Sequence, residues 1–259
     1  MKLTIAQDAH SQVRTLLLAT LLTLLLSWFV PFGGLITYPF RIFVTFIHEG
    51  AHALAALITG NSVHSLTVAV DGSGAVLSTS RSVWAGLFVS SAGYLGAMAF
   101  GALLLMVIRR TVAARKVLVS LAVYIAALTI GFGLVSPLAH RSAPGFFTLV
   151  AGILLTVGLA AAARYAPPRI GAFLVSFLAV QCVVNALSDL RNVFFLSAGT
   201  EVFTDARNMA DATGIPAVVW SAMWIVLALA LLALSLRAYA AKTSEGSPVE
   251  ETAGALPRV

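Results

Sequence analysis

His48-Glu49-Gly50-Ala51-His52 sets two imidazoles four residues apart, with a carboxylate between them, inside an otherwise apolar run. On a helix, positions i and i+4 share a face, so both rings can reach one metal ion. Glu49, beside the first ring, is placed to take a proton from a water that the ion polarises. A catalytic zinc takes three protein ligands and a water whose pKa falls to about 7. The chemistry that follows is hydrolysis. A charged side chain deep in a membrane helix costs about 3 kcal/mol, and three ionisable groups within five residues call for a compensating partner. A metal ion supplies one. The bland alternative is that neighbouring helices satisfy the two histidines and the glutamate without an ion.

The elements that must position these residues follow from composition. Of 259 residues, 59% are apolar and 10% charged, and the mean hydropathy is +0.97. A soluble domain carries about 25% charged residues, so lipid is the expected solvent. About 20 apolar residues cross the hydrocarbon core as a helix, which marks spans near 13–31, 37–60, 82–108, 116–136, 145–164, 168–190 and 216–240, the sixth open to extension as far as Ser197. The expected fold is an all-α polytopic membrane protein of about seven transmembrane helices, or six if 13–31 or 37–60 does not cross fully. Lys2 and Arg14 precede the first run as in a signal peptide, but Trp28, Phe29, Pro31 and Phe32 follow the leucines where small residues would mark a cleavage site. The run reads as a retained span. Residues 1–240 form one membrane-embedded domain on this reading, and 241–259 a polar, disordered tail.

Two stretches are not spans. Residues 61–80 alternate polar and apolar about Asp71-Gly72-Ser73-Gly74, which reads as a β-hairpin. Residues 199–215 carry Glu201, Asp205, Arg207 and Asp211 and read as a polar connection. The net charge of +6 gathers in short connections, especially Arg109, Arg110, Arg115 and Lys116, which marks cytoplasmic loops rather than a surface for nucleic acid. Placing 109–116 in the cytoplasm puts Arg169 and the C-terminal tail there too, and turns 199–215 outward. Counting back through both early segments puts the N-terminus outside, whereas Lys2 and Arg14 favour inside. Cys182 is the only cysteine, so thiolate zinc sites and intramolecular disulfides are excluded, and a metal must use His and carboxylate ligands.

On these residues the sequence resembles the site-2 class of intramembrane zinc metalloproteases, in a divergent branch without a PDZ domain. That family carries His-Glu-x-x-His-x-x-x-Ala-x-x-x-Gly on a membrane helix, followed by a short sheet. Here His48, Glu49 and His52 are followed by Ala56 and Gly60 at the matching offsets, and then by the 61–80 hairpin. The family's Ala-Gly-Pro-Leu-Ala-Asn type sequence corresponds to Ala92-Gly93-Tyr94-Leu95-Gly96-Ala97, which keeps the glycine and lacks the Pro and Asn. In the family an Asp in an Asn-x-x-Pro…Asp-Gly sequence is the third metal ligand; the nearest match is Asn185-Ala186-Leu187-Ser188-Asp189. The resemblance therefore implies Asp189 as third ligand, with Asn185 holding the substrate backbone or the developing oxyanion.

Other candidates stay open for the third ligand. Asp205 sits in the polar connection, where water satisfies an Asp. Asp71-Gly72 matches the family dipeptide, but lies where a hairpin turn favours Asp-Gly for backbone reasons. His64 is a further alternative, as is no protein ligand at all. Arg191 offers Asp189 a structural ion pair instead of a metal. His10 and His140 read as loop histidines. Gly93, Gly96 and Gly101, with Ala92 and Ala97, give the small-residue spacing of close helix packing.

By resemblance the expected activity is that of a zinc-dependent intramembrane endopeptidase. Its partner would be a membrane protein with a transmembrane helix in the same bilayer, the inner membrane of a bacterium. Zn2+ would be held by His48, His52 and Asp189, with Glu49 as general base. The competing reading is a non-proteolytic membrane scaffold or transport component that retains a metal site.

Overall fold

The computed structural model describes residues 15, 18–23, 25–26, 33–109, 114–199 and 204–244. Most of the expected first span, 13–31, His10 and the 245–259 part of the tail lie outside the described residues. The chain runs α1 (Gly33–Ile58), β1 (Val63–Val68), β2 (Gly74–Ser78), α2 (Val83–Arg109), α3 (Ala114–Leu128), a π-helical stretch (Thr129–Val135), α4 (Ser136–Ala139), α5 (Phe146–Tyr165), α6 (Pro168–Gly199), α7 (Asp205–Thr213) and α8 (Ala217–Ser244). Among the described residues six helices are long and apolar enough to cross a membrane: α1, α2, the continuous 114–139 segment, α5, α6 and α8. The sixth expected span reaches Gly199. At about 1.5 Å per residue its 32 residues extend well past a core of about 30 Å.

Small residues set how closely the helices approach, as expected where lipid provides no hydrophobic drive between them. A Cβ at Gly96 would come 2.5 Å from the Ala51 Cβ, which holds α2 against α1. Gly50 meets Tyr124 of α3, where a Cβ would lie 2.5 Å from the phenol oxygen, and Gly101 faces the Ala179 carbonyl of α6. Around these contacts Phe43, Phe46 and Ile47 of α1, Met98 of α2, Ile125 of α3, Leu190 of α6 and Trp224 of α8 are fully buried in one continuous core.

The expected hairpin is present, and it folds back along α1 instead of standing clear of the bundle. Tyr38 donates its hydroxyl to the Val70 carbonyl at 2.6 Å, Arg41 donates to the Asp71 carbonyl at 2.9 Å, and the Thr45 hydroxyl donates to the Gly72 carbonyl at 2.8 Å. The turn takes φ +85° at Gly72, which suits glycine, and Asp71 Oδ1 accepts from both the Ser73 amide and the Ser73 hydroxyl. Open strand at membrane depth is tolerated only against protein or a wet cavity. The far edge of β1 meets protein: the Val68 amide donates to the Thr148 hydroxyl of α5 at 2.9 Å, and the Ser136 hydroxyl of α4 donates to the Val63 carbonyl. β2 pairs antiparallel with β1 on one side only, and its other edge borders a cleft of about 940 Å³.

The 199–215 connection departs from the sequence expectation, because its second half is a helix. Thr204 caps α7 by accepting from the Arg207 amide, Gly214 ends it at φ 74°, and Ala206 and Met209 bury its apolar face. α7 packs on α2 and α8, which carries its first residue inward over the cleft.

Candidate metal centre

His48 and His52 project from successive turns of α1 toward α2, and their Nε2 atoms stand 3.1 Å apart. The His52 Nδ1 atom is 2.7 Å from the Val89 carbonyl oxygen. A carbonyl accepts only from a protonated nitrogen, so in the neutral ring Nδ1 bears the proton and Nε2 turns its lone pair to the centre. The His48 ring packs edge-on against Tyr94 at 4.6 Å between centroids; Tyr94 in turn lies against Trp224, whose indole donates to the Ser91 hydroxyl.

The carboxylate that closes this group is that of Asp205. Its Oδ2 lies 3.3 Å from His52 Nε2 and 3.8 Å from His48 Nε2, and one ligand atom from each of the three residues falls within 4.8 Å of the others. Donor atoms placed tetrahedrally about zinc at about 2.0–2.1 Å are about 3.3 Å apart, so the observed separations of 3.1, 3.3 and 3.8 Å fit such an ion. Gly93 faces the gap between the rings, and a Cβ there would run into both Nε2 atoms. The donor set of two imidazoles and one carboxylate, with the space beside it kept free of side chain, is chemically suited to zinc.

The expectation that water alone satisfies Asp205 is corrected by this placement. Its side chain is 21% exposed. Burial works to raise its pKa, but the imidazoles of His48 and His52 outweigh burial and hold the carboxyl well below its ordinary range. Asp189, the ligand implied by resemblance, is not in the three-residue group. It lies in the wall of the same cleft, at an exposed position on α6. Arg191 does not pair with it; that guanidinium lies over the Phe195 ring at 5.7 Å.

The remaining candidates are placed as follows. Glu49 is buried, 5% exposed, and packs against the first residue of β2: a Cβ at Gly74 would come 2.5 Å from Glu49 Oε1. Asn185 lines the cleft and spends both amide hydrogens on Gln181, donating to its main-chain oxygen at 2.8 Å and to its side-chain oxygen at 3.0 Å. Asp71 stays in the hairpin turn, bound by Ser73. His64 stacks on His140 at 4.0 Å, apart from the metal group. The sequence around Asp205 carries the signals of a short helix that could have pointed to it: a Thr cap, apolar residues at 206 and 209, and Gly214-Ile215-Pro216 to end it.

No curated protein and no solved structure matches the chain. A family model described as Peptidase M50B-like matches residues 16–235, a stretch that contains the paired histidines, the hairpin and Asp205. The chain is an integral membrane protein that belongs to the Peptidase M50B-like family of metalloproteases.

Proposed function

We propose that the chain is a zinc-dependent intramembrane endopeptidase that cleaves a peptide bond in or near a transmembrane segment of a membrane protein, in a bacterial inner membrane. The observation that carries this reading is the convergence of His48, His52 and Asp205 on one point, with Glu49 buried beside it. These three residues would hold zinc, which when bound supplies a Lewis acid that polarises a carbonyl and lowers the pKa of a water to about 7. Glu49 takes the proton released during attack and returns it to the leaving amine. Its contact with Gly74 keeps that carboxylate at the edge of β2, where a substrate strand would lie.

A transmembrane helix hides its peptide bonds in its own hydrogen bonds, so the substrate must unwind locally. The free edge of β2 offers unpaired main-chain groups along the cleft, and an extended segment would add to it as a strand. Asn185, its donors committed to Gln181, has only its side-chain oxygen to offer. It therefore suits a substrate main-chain N–H and not a developing oxyanion.

The test is purified protein in lipid vesicles with a single-span reporter peptide. Stoichiometric zinc and cleavage that disappears in Glu49→Gln support the peptidase. Stoichiometric zinc without cleavage of any span supports the scaffold or transport reading instead.

A further inference from the structure

The cleft beside the metal group is acidic, although the chain as a whole carries +6. Four of the chain's ten acidic residues, Glu49, Asp71, Asp189 and Asp205, line it, and Arg41 is the one lysine or arginine among the described lining residues. Three of the four carboxylates have an occupation. Asp205 closes the metal group, Glu49 stands beside it, and Asp71 holds the hairpin turn through Ser73. Arg41 is engaged as well, donating to the Asp71 carbonyl at 2.9 Å and lying over the Tyr38 ring at 5.5 Å.

Asp189 is the remaining charge. Among the described residues no hydrogen bond or ion pair reaches it, and its neighbour Arg191 points to Phe195. It is the centre of a polar stripe on α6: Asn185, Asp189 and Asn192, spaced i, i+4 and i+7, all line the cleft. Arg41 and His48 are the charged or ionisable groups that act on Asp189 across the cleft, neither of them in a direct ion pair with it, and an ionisable group on a membrane-spanning helix that faces a cavity marks a functional contact. With zinc bound, its two positive charges would offset Glu49 and Asp205, and Arg41 offsets one of Asp71 and Asp189, so the cleft keeps a net negative charge for a substrate to answer, and Asp189 is the carboxylate without a hydrogen bond of its own.

We infer that Asp189 is a specificity residue which pairs with a lysine or arginine side chain of the substrate, close to the bond that is cut. The inference rests on the endopeptidase reading and adds a substrate class to it: spans with a basic residue at the unwound site. A cationic side chain entering between α6 and the β2 edge would meet the carboxylate, flanked by the amides of Asn185 and Asn192.

The test measures binding separately from cleavage. Zinc-loaded Glu49→Gln protein in nanodiscs is titrated with synthetic Leu/Ala-rich 24-residue spans that carry a central Asn-Pro kink. Lys, Met or Glu is placed at each of six positions around the kink. At one or more positions the Lys span is expected to bind at least ~10-fold tighter than its Met counterpart, the lower range for a close, partly buried charge pair. Adding Asp189→Asn should bring that ratio to within ~2-fold, Asp189→Glu should keep it, and Asp189→Lys should transfer the preference to the Glu span. Zinc is measured on every variant. A Lys preference that survives Asp189→Asn, no preference at any position, or loss of zinc in Asp189→Asn and Asp189→Glu alike each overturns the inference. The two readings fail separately. Cleavage by the native cleft without an Asp189-dependent preference rejects this inference alone, and an Asp189-dependent preference without cleavage rejects the endopeptidase alone.

Discussion

The Nδ1 atom of His52 lies 2.7 Å from the main-chain oxygen of Val89, so one side chain ties α1 to α2 and fixes its own tautomer. Because the acceptor is backbone, the orientation of the ring depends on α2 itself and not on another side chain. Its Nε2 atom is left facing Asp205 at 3.3 Å. This arrangement, in which the far nitrogen of a ligand is held by a carbonyl, is the usual second contact of a metal-binding histidine.

Loss of either imidazole should therefore abolish metal retention. His48→Ala and His52→Ala leave two protein ligands, too few to hold zinc tightly. Elemental analysis of the purified variants should find most of the zinc gone. Full occupancy in either would place the metal elsewhere.

Asp205 and Asp189 make opposite predictions when compared side by side. Asp205→Asn removes the charged oxygen 3.3 Å from His52 and should lose both zinc and activity. Asp189→Asn should retain zinc, since Asp189 stands outside the three-residue group. Zinc loss in Asp189→Asn with zinc kept in Asp205→Asn would restore the assignment that family resemblance implies.

Glu49→Gln keeps the shape of the side chain and removes the base. Zinc should stay while cleavage of the reporter span falls by at least ~100-fold, the lower end for loss of a general base. Turnover equal to that of the native chain would remove Glu49 from the chemistry.

Much of this was legible in the sequence, for identifiable reasons. Long apolar runs marked the spans because crossing lipid leaves few alternatives to a helix. The hairpin was readable from alternation and Asp71-Gly72, and the His48–His52 pair from its i, i+4 spacing in an apolar run with Glu49 between the two rings. The closing carboxylate was not. Polarity made 199–215 look like a solvated connection, but two buried apolar residues, Ala206 and Met209, dock α7 on the bundle and bring Asp205 inward. That is a tertiary effect, carried by two side chains in a segment whose average composition points to water. The course of the hairpin along α1 was hidden similarly, since it depends on Tyr38, Arg41 and Thr45 reaching main-chain carbonyls 27 to 32 residues away.

Gly93 offers the sharpest test of the metal centre, because at this position helix propensity and site geometry oppose each other. Alanine is favoured over glycine in a helix interior by about 1 kcal/mol, so Gly93→Ala ought to strengthen α2 if only local backbone mattered. At this position, however, the added Cβ would run into the Nε2 atoms of both His48 and His52. The rings would have to turn away, and His52 resists because its Nδ1 is held by Val89. Gly93→Ala should therefore keep its helical content by circular dichroism and its monodisperse elution in detergent, yet lose zinc and activity together. Gly96→Ala is the control: it crowds the same helix pair at Ala51, one turn away, without touching either ring, and should weaken packing while leaving metal binding less affected. If Gly93→Ala binds zinc as the native chain does, the ion does not sit between these two histidines.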